Sequence, residues 1–127
     1  MRDPRPQIVW SKRRVCRRVA YAAWMASDNW LVLRRQWHGT WISRYGEPPA
    51  CAVCDEPWTL RRDDLHHRSY DRLGHEQFGD LVPLCRTCHT RLHQLIESSS
   101  AWQRLGRPRA TDTAIVILRR HIQCDDR

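Results

Sequence analysis

Residues 85–93 read Cys85-Arg86-Thr87-Cys88-His89-Thr90-Arg91-Leu92-His93, and upstream residues 51–54 read Cys51-Ala52-Val53-Cys54. Two C-x2-C pairs supply four thiolates, enough for one tetrahedral zinc, and the short loop inside each pair lets both sulfurs face the same ion. A redox dithiol needs one such pair only, and no βαβ pattern surrounds either. In a cytosolic chain the pairs are not expected to form disulfides. The stretch around them is short, polar and rich in loops, so its apolar burial alone cannot fold it, and a structural Zn2+ on Cys51, Cys54, Cys85 and Cys88 would supply the missing free energy. Cys16 and Cys124 have no partner motif and read as helix-packing residues.

The histidines are not explained by that zinc. A helix beginning near the second knuckle carries His89 and His93 on one face, one turn apart, where two imidazoles can share a metal ion. His66 and His67 are neighbours on an expected strand and therefore project to opposite sides, so one of them can join His89 and His93 while the other stays beside the ion. Three histidines with open coordination positions make a catalytic arrangement rather than a closed structural one. A classical finger with two cysteines and two histidines fails on spacing, because His66 and His67 are adjacent and His89 directly follows Cys88.

Outward from this centre, the 127 residues carry 22 basic and 14 acidic side chains, a formal net charge of +8. Ten basic and three acidic residues lie in 1–50, six and eight in 51–100, six and three in 101–127, so basic flanks bracket a mildly acidic middle. Arginine-rich flanks suit a polyanion, most often nucleic acid. A composition of 41% hydrophobic and 28% charged residues is that of an ordinary globular protein. No apolar run reaches membrane-spanning length and residues 1–6 lack the apolar core of a secretory signal, so a cytoplasmic location without a membrane partner is expected.

Periodicity and punctuation predict a helix over about 12–26 capped by Ser11, then a second capped by Ser27 and running to about His38, after which Gly39, Gly46 and Pro48-Pro49 break the pattern. Trp58–Leu60 and Leu65–His67 read as a pair of short strands around Arg61-Arg62-Asp63-Asp64, residues 68–79 as a loop, and 86–98 as a helix. Thr111 or Asp112 is expected to cap a last helix over 113–123, although its run Ala114-Ile115-Val116-Ile117-Leu118 also suits a strand. The seven tryptophans fall mostly in the first third, where spacing favours core packing over base stacking. The chain thus divides into a basic helical extension (1–49), a core with structural zinc (50–98) and a linker with a helix (99–127).

The string Leu65-His66-His67-Arg68-Ser69-Tyr70-Asp71-Arg72-Leu73-Gly74-His75-Glu76, followed by Asp80-Leu81-Val82-Pro83-Leu84 and the Cys85–His93 segment, closely resembles the HNH endonuclease family. The resemblance spans about residues 50–95 and extends weakly upstream through Ser27-x2-Trp30-x3-Arg34. It implies an α+β fold in which a ββα-metal (HNH) motif sits on a treble-clef-like, four-cysteine zinc scaffold, flanked by N- and C-terminal helices. It further implies a nuclease that hydrolyses DNA to 5′-phosphate and 3′-hydroxyl ends, with double-stranded DNA as the expected partner. By resemblance His67 is the general base, and His66, His89 and His93 hold a catalytic divalent metal ion (Mg2+, Mn2+, Ni2+ or Zn2+). Asp80 stands, as a catalytic-motif residue, where the family's asparagine braces the loop; an ionised carboxylate only accepts hydrogen bonds. Arg68, Arg72 and Arg91 are the phosphate-clamp candidates, and Tyr70 and Glu76 read as structural support. The resemblance also admits a binding module without cleavage, a homodimer, or a phage or partner-protein interaction.

Overall fold

The structure, a computed structural model, describes residues 17–125, with side chains described through residue 122. The expectations placed on Trp10, Ser11, Cys16 and the side chain of Cys124 lie outside these residues. The described chain forms α1 (residues 17–25), α2 (Asp28–Tyr45), β1 (Asp64–His67), a short 3-10 turn (Phe78–Asp80), β2 (Leu81–Leu84), α3 (Arg86–Glu97), α4 (Ser100–Arg104) and α5 (Arg107–Asp125). It is an α+β fold built on one two-stranded antiparallel sheet.

Ser27 caps α2 as its sequence predicts: its Oγ accepts from Trp30 N at 3.2 Å and donates to Trp24 O at 2.6 Å. The helix then runs past Gly39 to Tyr45, longer than expected, and stops at Gly46, whose φ of 71° is the left-handed geometry that glycine adopts freely. A glycine inside a helix costs about 1 kcal/mol, and the packing of Trp37 and Trp41 around it offsets that cost.

The partner of β1 is not Trp58–Leu60 but Leu81–Leu84, with His67 opposite Leu81 and Asp64 opposite Leu84. Trp58 is buried, its indole donating to Asp64 O at 2.7 Å. Thr59 N donates to the Asp63 carboxylate at 2.7 Å, closing 59–63 into a turn that cannot extend a ladder. Pro83 disguised β2 in the sequence; in a two-stranded sheet both strands are edges, where a residue without an N–H is tolerated.

The sheet separates two apolar clusters. Leu65 and Leu81 pack with Trp30, Trp37 and Trp58 on the α2 side, and Trp24 and Trp41 close that cluster. Leu84 packs with Cys51, Val53, Cys88, Leu92 and Ala114 on the other, closed by Trp102, Ile115, Leu118 and Ile122. Full burial of Leu84 or Leu92 yields only about 1.5–3 kcal/mol each, so a core this small leaves room for a metal contribution. The last helix begins at Arg107 rather than 113, entered through Gly106 at φ 79° with Pro108 in its first turn. Thr111 is therefore inside the helix, fully buried, and not its cap. Among the described residues no helix is long and apolar enough to cross a membrane.

Candidate metal centre

The two knuckles converge. Cys51, Cys54, Cys85 and Cys88 form a group that can hold a metal ion, with Sγ atoms of Cys54 and Cys85 3.9 Å apart. Zn–S bonds of about 2.3 Å in a tetrahedron put sulfurs about 3.8 Å apart, so the cluster fits zinc. Burial pushes the Cys54 thiol up to about 11 and raises that of Cys88, whereas at Cys51 burial is outweighed by backbone N–H groups, which lower the thiol; Cys54 and Cys88 thus resist ionising beside a Cys51 thiolate unless a cation sits among them. Leu84 carries the chain straight into Cys85, which caps α3 through its sulfur, so the knuckle and the helix start are one structure.

His66, His89 and His93 form a second group that can hold a metal ion. Alternation along β1 sends His66 toward α3 and α5 and His67 toward α1 and α2. His66 Nδ1 lies 3.3 Å from His89 Nε2, which lies 3.0 Å from His93 Nε2. Metal–nitrogen bonds of about 2.0–2.1 Å give nitrogen separations of about 2.9–3.4 Å, which these pairs match. The far nitrogens are held in turn: His66 Nε2 pairs with Thr111 Oγ1 at 2.9 Å and His89 Nδ1 with Asp64 Oδ2 at 3.0 Å. With protons on those nitrogens, the converging ones present lone pairs. Burial, then the charge of Arg107, lowers the His66 pKa to about 2, and burial lowers that of His93. Both are neutral near pH 7, the state that ligates.

Thr111→Val keeps the shape and removes the hydroxyl. It is expected to weaken divalent-ion binding at the imidazoles about 10–100-fold while the zinc content of the cysteine site stays unchanged. Calorimetric titration with Mn2+ or Ni2+ checks this; equal affinity would mean that Thr111 does not orient His66.

His67 lies on the opposite face, 2% exposed. Its ring stacks on Trp30 with centroids 5.2 Å apart, and Tyr21 and Tyr70 approach it at 5.9 and 5.4 Å. Nε2 meets the Glu76 carboxylate at 3.0 Å, and that fully buried carboxylate also accepts from the Trp24 indole at 2.8 Å and from Gly74 N. Burial lowers the His67 pKa, against the opposing pull of Glu76. A carboxylate on Nε2 holds the proton there and leaves Nδ1 as the proton-accepting nitrogen.

The Asp80 carboxylate only accepts hydrogen bonds, and its surroundings supply the donors. Arg72 grips it with two bonds of 2.8 and 2.5 Å, Gln77 N donates at 2.8 Å, and Asp80 O takes Arg68 N at 2.7 Å. The Arg72 guanidinium holds the Asp80 carboxyl below its ordinary range. The loop is braced by an ion pair in place of an amide. Arg68 similarly grips Asp112 at 2.9 and 2.6 Å and donates to Gly79 O, while Arg91 is exposed on α3. Among the three arginine candidates, two thus have carboxylate partners within the chain.

Sequence reading missed Thr111, Asp64, Trp24, Trp30 and Arg107 around these histidines. Asp64 had a signal: two residues before His66 on a strand, it shares that face. Thr111 and Arg107 had none, since 45 residues separate Thr111 from His66 and 40 separate Arg107 from His67. His75 and His121 are exposed and stand outside the imidazole group. Compared with family models, curated proteins and solved structures, the chain matches none of them.

Proposed function

We propose that this chain is a metal-dependent DNA endonuclease of the HNH type, hydrolysing phosphodiesters to 5′-phosphate and 3′-hydroxyl ends. The observation that carries this reading is the strand Asp64–His67, which puts a carboxylate-paired imidazole and a three-imidazole centre back to back on consecutive residues. A structural metal does not require His67, and a buried core histidine does not require three more converging beside it.

His66, His89 and His93 would hold the divalent ion, which as a Lewis acid supplies charge stabilisation at phosphate oxygens. His67, oriented by Glu76, takes a proton from the attacking water at Nδ1. Trp30 and Tyr21 pack on its ring and fix its plane. Glu76 keeps the imidazolium that forms in a favourable electrostatic setting while the phosphorus–oxygen bond to the 3′ side breaks. The cysteine cluster anchors α3 and so places His89 and His93. The arginine-rich flanks support a polyanionic substrate.

The test is cleavage of supercoiled plasmid by the full chain, stripped of its exchangeable ion and resupplied separately with Mg2+, Mn2+, Ni2+ or Zn2+. Metal-dependent nicking or linearisation is expected. Tight, salt-sensitive DNA binding without cleavage under any ion would replace the nuclease by a zinc-dependent nucleic-acid-binding module.

A further inference from the structure

Arg107 opens α5, beyond the stretch of sequence that carries the family resemblance, yet it reaches the centre of the site. Its Nε donates to the backbone oxygen of His67 at 2.7 Å, and its guanidinium lies 4.0 Å from the centroid of the Tyr70 ring. It shares with His93, Glu97 and Trp102 the lining of a cavity of about 290 Å³. Gly106, at φ 79°, makes the reversal between α4 and α5 that delivers it there.

What sets Arg107 apart is charge. Arg68 and Arg72 each hold a carboxylate with two bonds, whereas among the described residues no carboxylate lies within ion-pair distance of Arg107. A half-buried guanidinium without a counter-ion is unfavourable, and here it adjoins an imidazole group that can hold a cation as well. With an ion held there, positive charge would stand on both sides of one small space, and the carboxylate on its rim, Glu97, lies 4.0 Å from His93 with its side chain largely in solvent. An anion entering that space relieves both, and the forked guanidinium matches the oxygens of a phosphate.

We infer that Arg107 is a further catalytic residue, which binds a non-bridging oxygen of the scissile phosphodiester and stabilises the charge that develops there. The inference rests on the nuclease reading. Water oxygen bonds to phosphorus as its proton passes to His67 Nδ1; the bond from phosphorus to the 3′ oxygen breaks, and that oxygen leaves with the bonding pair. Solvent protonates it to the hydroxyl, and His67 returns its proton to solvent. Arg107 exchanges no proton and contributes through its fixed charge and two N–H donors.

The test compares wild type, Arg107→Lys and Arg107→Ala in single-turnover plasmid cleavage at saturating protein, each with zinc content verified. The alanine variant is expected to be slower by about 10²–10³-fold, the lysine variant to fall between, and added guanidinium ion to restore at least part of the alanine rate. Rescue of that kind separates a missing charge from a damaged fold. Cleavage by Arg107→Ala at the wild-type rate, or a loss that neither lysine nor guanidinium relieves, would overturn the inference. A second arm titrates inorganic phosphate into the metal-loaded proteins by calorimetry. Wild type should bind about tenfold or more tightly than Arg107→Ala, a difference of about 1.4 kcal/mol; equal binding overturns the anion site whether or not any variant cuts DNA. If wild type fails to cleave but phosphate binding depends on Arg107, the nuclease reading falls and the anion site stands.

Discussion

Replacing His67 by alanine is expected to slow metal-dependent plasmid cleavage by about 10²–10⁴-fold, the range a positioned general base contributes. The fold should survive. His67 lies in a pocket walled by Trp30, Tyr21 and Tyr70, and Glu76 keeps two other donors, Trp24 Nε1 and Gly74 N, when the imidazole is gone. The stability cost is that of a truncated buried side chain and one lost hydrogen bond to a carboxylate, about 2–4 kcal/mol together. His67→Gln, which fills more of the pocket and keeps a donor for Glu76, should be as inactive and more stable. Zinc content and divalent-ion binding should match wild type in both, because His66 faces away from the substitution. Cleavage by either variant at the wild-type rate would remove His67 from the mechanism.

The second large effect concerns Cys51. Cys51→Ser is expected to release zinc and abolish cooperative unfolding of the domain. Cys51 is 1% exposed and sits in the same cluster as Leu84, Cys88 and Leu92, so a serine hydroxyl there loses the metal and must be buried as well. Structural zinc in small domains contributes apparent free energies of about 10–16 kcal/mol, as large as the whole stability of an ordinary domain at about 5–15 kcal/mol. Loss of even half that sum leaves little. His89 follows Cys88 directly and should lose its position with the knuckle, so divalent binding at the imidazoles should disappear too. Metal analysis with circular dichroism and thermal melting reads all three effects. A zinc-free, well-folded Cys51→Ser protein would show that the cysteine cluster is dispensable.

The parts of this arrangement that were legible in advance are those whose geometry is local in the chain. A C-x2-C pair closes its own loop, and His89 and His93 share a helix face by spacing alone. The opposite directions of His66 and His67 follow from the pleat of any strand. What could not be read depended on partners far along the chain or on residues that break local rules. Leu81–Leu84 did not look like a strand because of Pro83. Gly39 looked like a stop, and only the tryptophan packing on either side of it carries α2 through to Gly46. Gly106-Arg107-Pro108 falls in the stretch assigned to the linker, yet a proline in the first turn and a left-handed glycine before it are compatible with a helix start. Misplacing that start hid Arg107 and turned Thr111 from a buried partner of His66 into a cap.

The division of labour across β1 has a consequence for the protein during its own synthesis. The pocket around His67 uses Tyr21, Trp24, Trp30 and Glu76, all translated by the time the strand itself is complete or soon after. The imidazole group and its neighbours await Cys88, His89, His93, Arg107 and finally Thr111, 45 residues after His66. At about 5–20 residues per second, a nascent chain passes through an interval of about two to nine seconds between His66 and Thr111 in which the imidazole group is first incomplete and then unbraced. As the nuclease proposed above, a ribosome-bound fragment ending before Arg107 would carry His67 and the three imidazoles without the Thr111 brace or the Arg107 charge, and is expected to cut the surrounding nucleic acid far more slowly than the full chain.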